Sequence, residues 1–94
     1  MKKRLVVIKT DGTVEELDQK KAPDLKQLQS IVGGYIELVP GLKYEGDEAY
    51  MYVNEEGKLK GLPINYKATE LFQKIFGPFD VVCGNVAVLV GWES

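Results

Sequence analysis

Apolar and polar positions along the chain fall into short runs of two different periods. Residues 4–9 are β-branched and apolar on both faces, which predicts an interior strand. Asp11-Gly12 is a hairpin signal. Residues 13–17 then return as a polar strand with only Val14 and Leu17 to bury. That pattern belongs at a sheet edge, where Glu15 and Glu16 discourage edge-to-edge pairing. After a charged connector the period changes. Asp24 as N-cap with Gln27 three positions on has capping-box spacing. Leu25, Leu28, Ile31 and Val32 share one helical face, and Gly33 suits the left-handed residue that ends such a helix.

Tyr35-Ile36-Glu37-Leu38-Val39 is read as a strand with Ile36 and Leu38 on one face, broken by Pro40-Gly41, and residues 42–47 as a loop. Residues 48–53 alternate, with Ala49, Met51 and Val53 one way and Tyr50 and Tyr52 the other. Asn54-Glu55-Glu56-Gly57 is a turn with glycine last. Residues 58–60 can pair back briefly onto 50–53, while Pro63 keeps residues 61–64 from continuing as an interior strand. Asn65 caps a second helix, whose stripe is Ala68, Leu71, Phe72 and Ile75. Glu70 and Lys74 add an i, i+4 pair worth about 0.3 kcal/mol. Gly77-Pro78 ends the helix. Val86–Val90 is a buried strand, entered through a bend at Gly84-Asn85.

The order is β-β-α-β-β-α-β, without the regular alternation of a doubly wound sheet. It predicts an α+β domain: a single, mainly antiparallel sheet of about five strands with two helices packed on one face. At 94 residues the chain has room for one domain, spanning 1–94.

Charge and composition narrow the function classes. A formal charge of −2 argues against non-specific nucleic-acid binding, which needs a basic surface to neutralise phosphates. The lone Cys83 excludes an intramolecular disulfide and fits a reducing cytoplasm. With no histidine, histidine triads, histidine general bases and most zinc sites fall away. The apolar run after Lys2-Lys3-Arg4 is only four residues, too short for the roughly 7–15 of a signal-peptide core. No stretch approaches the roughly 20 apolar residues of a membrane span. A soluble, cytoplasmic protein is expected, with no membrane partner, no cofactor and no enzymatic activity.

Candidate chemistry concentrates between residues 54 and 69. Lys58, Lys60 and Lys67 bracket the entry to the second helix. With Asn65 and Thr69 they outline a phosphate or carboxylate cradle at a helix N-terminus, and Tyr50 and Tyr52 are candidates for stacking a base. The plainer alternative makes the lysines a solvated face and the tyrosines packing residues. Gly33-Gly34 sits at a helix C-terminus, where the dipole repels anions, so it reads as a cap. Asn54-Glu55-Glu56, with Asp47 and Glu48, lacks the alternating ligand spacing of a calcium loop and reads as a solvated turn. Cys83 reads as a small buried hydrophobe. Trp92 either seals the core or anchors a dimer, and a homodimer built on the apolar last strand is expected.

Four blocks together resemble a known family: Leu28-Gln29-x-x-Val32-Gly33-Gly34-Tyr35-Ile36-Glu37, Asn54-Glu55-Glu56-Gly57-Lys58, Leu62-Pro63-x-Asn65-x-x-Ala68-Thr69 and Gly84-Asn85-Val86. The family is a small domain of unknown function, numbered 3846, and the resemblance spans nearly the whole chain. It implies a phage or mobile-element origin, action in the host cytoplasm and no assigned active site. The resulting expectation is a non-enzymatic protein that antagonises a host process such as defence by capturing a small anionic, nucleotide-like ligand. Its alternative is a protein–protein inhibitor that presents an acidic edge (Glu15, Glu16, Asp47, Glu48) to a basic host partner.

Overall fold

Two hairpins are joined through one central strand. The structure, a computed structural model, describes residues 3–92. The elements are β1 (Arg4–Ile8), β2 (Val14–Leu17), α1 (Leu25–Val32), β3 (Ile36–Tyr44), β4 (Asp47–Asn54), α2 (Tyr66–Phe76) and β5 (Val86–Val90). The five strands form one antiparallel sheet in the order β2-β1-β5-β4-β3. The expected α+β class, strand number and element order all hold.

β5 occupies the centre because every one of its residues can be buried. Val86, Val88 and Val90 point to one face, Ala87 and Leu89 to the other, and all five are buried. This alternation decides the helix placement. Val86, Val88 and Val90 pack with Val6, Ile8, Leu42, Met51 and Ala68, and Leu71 and Phe72 of α2 lie against that cluster. Ala87 and Leu89 pack with Leu5, Tyr50 and Leu28 of α1, beside Ile31, Ile36 and Tyr52. The helices therefore cover opposite faces, which corrects the expectation of two helices on one face. A central strand apolar on both sides needs cover on both sides.

The central position of β5 corrects two further readings. Residues 58–60 do not pair back onto β4, because β5 already fills that side from Ala49 to Tyr52. They coil instead, with Lys60 N donating to Glu56 O at 2.9 Å and Leu62 N to Gly57 O at 2.9 Å. The last strand also offers no surface for a dimer, since β1 and β4 flank it. Trp92 is half-buried against the α1-side cluster.

The strand read as broken at Pro40-Gly41 continues. β3 runs to Tyr44 with a bulge between Val39 and Leu42, so Pro40 and Gly41 together stand opposite Tyr50. Proline is tolerated there because β3 is an edge strand. Opposite residues Tyr35 and Glu55 are joined by Glu55 N donating to Tyr35 O at 2.9 Å. Backbone groups alternate along an antiparallel strand, so Glu37 and Val39 bond inward to β4 while Ile36, Leu38 and Pro40 face outward. The absent proline N–H removes no internal bond. The residues read as a loop are the β3–β4 hairpin, closed by Glu45 and Gly46 with φ of 50° and 85°, as two-residue hairpin turns require.

The caps follow the sequence. Asp24 accepts from Gln27 N at 2.8 Å, and Gly33, at φ 80° and ψ 24°, closes α1 by donating to Gln29 O. The capping box is completed on one side only, because the Gln27 amide exchanges hydrogen bonds with Gln19. Leu25, expected on the buried stripe, is 58% exposed.

Candidate functional site

The connector between β4 and α2, residues 55–65, is anchored at both ends by buried asparagines. Asn54 donates from Nδ2 to Val32 O at 3.1 Å and accepts from Glu56 N at 2.8 Å, which ties the end of α1 to the start of the connector. Asn65 is 1% exposed. Its Nδ2 donates to Ile8 O and to Gly84 O, both at 2.9 Å, while Oδ1 accepts from Ala68 N at 3.1 Å. One side chain thus caps α2 and fastens it to β1 and to the approach to β5. Thr69 closes the same junction, its hydroxyl accepting from Val82 N at 2.9 Å. Between the asparagines the connector lies against residues 82–84. Asn65 N donates to Val82 O and Gly84 N to Pro63 O, each at 2.8 Å, with a bridge between Ile64 and Cys83. A Cβ on Gly57 would stand 2.7 Å from Cys83 O, so the close approach requires glycine there.

These contacts separate the seven residues of the expected cradle. Asn65 and Thr69 are buried, with their polar atoms committed to the backbone contacts above. Tyr50 and Tyr52 lie on the α1 face, packed edge to face at 5.8 Å between centroids, and burial pushes the Tyr50 phenol up. The sheet itself stands between them and α2. Lys58 is ion-paired with Asp80, and Lys60 with Glu56 at 3.6 Å. Lys67 is exposed on α2, with no ion-pair partner among the described residues. The strand period that sends Tyr50 and Tyr52 away from Met51 was legible in the sequence; that α2 would cover the Met51 side was not.

What the structure brings together is a cleft of about 520 Å³ on the α2 side of the sheet. Val39 and Val53 form its floor, Phe72 one wall and residues 80–83 the other, with Leu59 at the mouth. Lys58 is the one cradle residue that lines it. Leu59 is 89% exposed, an apolar side chain held at an open rim. Three carboxylates, Glu37, Glu55 and Asp80, stand around the cleft against the single Lys58. Hydrogen bonding from Lys58 holds the Asp80 carboxyl below its usual range. Glu37 and Glu55 have no ion-pair partner among the described residues. Sequence reading missed this lining because it comes from four separate stretches of the chain, around residues 37–39, 53–59, 72 and 80–83. Phe72 reads in the sequence as part of the core stripe, and no local pattern sets Glu37 or Val53 apart as site residues.

The acidic edge is more nearly balanced than the sequence implied. Glu15 pairs with Lys9 at 2.8 Å, Glu16 and Glu45 share Arg4, and Glu48 lies 3.8 Å from Lys43. Among the described residues no three Cys, Asp or Glu side chains group closely enough to hold a metal, and no helix is long and apolar enough to cross a membrane.

Fold and cleft together define a small α+β protein with an open apolar cleft rimmed by carboxylates. The chain belongs to the family described as Domain of unknown function (DUF3846), which matches residues 1–92. No curated protein and no solved structure matches it. Several residues of the blocks that carry the family resemblance hold the connector in place. Asn54, Gly57, Pro63, Asn65 and Thr69 all make the contacts just described, and Gly84 accepts from Asn65 through its carbonyl and donates to Pro63 O through its N–H.

Proposed function

We propose that this protein is a non-enzymatic binding protein and that its binding site is the cleft beside the connector. The observation that carries the reading is the lining: an apolar floor and wall of Val39, Val53 and Phe72, rimmed by Leu59, three carboxylates and one paired lysine. Concave apolar surfaces with a few polar groups at the mouth are the usual form of binding sites. The charge balance favours an apolar group that carries a positive charge over a nucleotide-like anion, because two of the three cradle lysines already have acidic partners. It gives more support to the inhibitor reading, in which an acidic surface meets a basic host partner, and moves that surface from the β2 edge to the cleft rim. Antagonism of a host process such as defence, by a phage or mobile-element product, rests on the family resemblance and is the biological setting we propose for this binding.

A titration of isotope-labelled protein with three fragment sets tests the reading: aryl amines, neutral aryl compounds and mononucleotides. Aryl amines are expected to shift the amides of Val53, Phe72 and Val82, with nucleotides leaving them unmoved. Nucleotide shifts at Lys67 and the first turn of α2, abolished by Lys67→Ala, would return the site to the cradle. No shift at the cleft with any set would remove it as a binding site.

A further inference from the structure

The cleft opens directly onto the unpaired edge of the sheet. β3 is the terminal strand, so no strand pairs with its outer side among the described residues. Its register turns the N–H and C=O groups of Ile36 and Leu38 outward. Glu37 and Val39, between and beside them, point their side chains into the cleft. A short row of outward-facing backbone donors and acceptors thus runs alongside an apolar cleft walled on one side by Phe72 of α2. That combination supports strand addition, in which main-chain bonds supply affinity and a flanking pocket reads alternate side chains. The row is limited on one side by Pro40, which has no N–H, and by the bulge that follows. Four or five residues of an added strand are roughly what Ile36 to Pro40 can accommodate at about 3.4 Å per residue.

We propose that the partner is an extended peptide segment that pairs with Ile36–Leu38 of β3, sets one apolar side chain into the cleft and places basic residues against Glu37 and Glu55. The proposal rests on the cleft being the binding site, as argued above, and names the kind of partner that fits it. Charge complementarity selects the occupant: among the described residues the rim has two carboxylates without an ion-pair partner beside the open edge, and the one lysine that lines it is already bound to Asp80. An acidic segment would be repelled there, and a neutral one would leave both carboxylates facing apolar contacts.

Two displayed octapeptide libraries provide the test. Both hold apolar residues at alternate positions, with Lys or Arg between them in one and Asp or Glu in the other. The basic library is expected to enrich binders and the acidic one to enrich none. With a selected peptide bound, hydrogen exchange of the Ile36 and Leu38 amides should slow at least tenfold. N-methylation of alternate peptide amides should weaken binding at least tenfold in one register and less than threefold in the other. Glu37→Lys, a change at an exposed residue, should weaken binding tenfold or more, as should Leu38→Pro, which removes an outward donor. The N-methyl series stands even if the proline variant fails to fold.

Equal enrichment from the acidic library would overturn the charge assignment and with it the proposal. Binding that shifts the cleft amides yet leaves Ile36 and Leu38 unprotected and ignores N-methylation would overturn strand addition while the cleft reading stands. No enrichment from either library would also overturn strand addition, and the fragment titration then judges the cleft separately. Concentration-dependent protection of the same amides without peptide would assign the edge to a second copy of the chain and exclude the proposed partner.

Discussion

Asn65 shows how one side chain can look like a ligand contact in sequence and be a structural fastener in the fold. Its place before an amphipathic helix identifies it as a cap, and the cap hydrogen bond to Ala68 N is present at 3.1 Å. The other two bonds, to Ile8 O and Gly84 O, reach partners 57 and 19 residues away, and no local pattern announces them. Asn65→Ala removes the cap and leaves two carbonyls without their donor in a buried setting, so it should cost about 3 kcal/mol. Urea denaturation followed by far-UV circular dichroism measures this. Gly57→Ala tests the neighbouring contact. A methyl group at 2.7 Å from Cys83 O forces the connector away from residues 82–84, and a loss of about 2 kcal/mol is expected from overpacking of this kind. Wild-type stability in that variant would mean the connector yields freely.

Among the elements, the connector and the segment before β5 hold one another across the cleft wall. Beside the backbone hydrogen bonds, an ion pair joins them, Lys58–Asp80, between groups each about half exposed, so its stabilisation is small and screened by salt. Its sign with pH is nevertheless fixed. The Asp80 carboxyl is held below its usual value, so the unfolded chain binds this proton more readily than the folded one. The contribution is fully present above the unfolded value of about 3.9 and disappears as pH falls through the folded one. Asp80→Asn should flatten stability against pH in that acid window and leave the neutral region nearly parallel to wild type. Thermal melts from pH 2.5 to 7 would show it, and an unchanged slope would remove Asp80 as a contributor. β3 makes a related point about edges. Pro40 sits where the ladder faces outward, so the proline that stops a central strand only blunts this one.

For the whole molecule, a sheet covered on both faces makes α1 and α2 depend on the same five strands. Leu5 and Leu89 support the α1 side, Met51 and Val88 the α2 side. Leu5→Ala and Met51→Ala each empty a site that is 0% exposed and should each cost about 3 kcal/mol. Because β1, β5 and β4 are hydrogen-bonded neighbours, both variants should lower a single unfolding midpoint, whether read at Trp92 on the α1 side or by circular dichroism. Separate transitions at the two probes would show the faces unfolding independently.

The sequence by itself determined the elements. The β-branched runs, the Asp24 and Asn65 caps, the glycines that close α1 and α2, and the alternation in β4 all act within a few residues, where backbone sterics and local hydrogen bonds decide. It also determined which residues share a face, since a strand's period is two and a helix's is 3.6. Only the tertiary structure decided which faces meet. The placement of β5 in the centre put the helices on opposite sides, carried Pro40 to an edge and denied residues 58–60 a strand to join. It also divided the tyrosines from the lysines and assembled the cleft from β3, β4, α2 and two connecting segments. Those outcomes follow from burying a strand apolar on both faces and from pairings between distant residues, and neither leaves a mark at the positions that line the site.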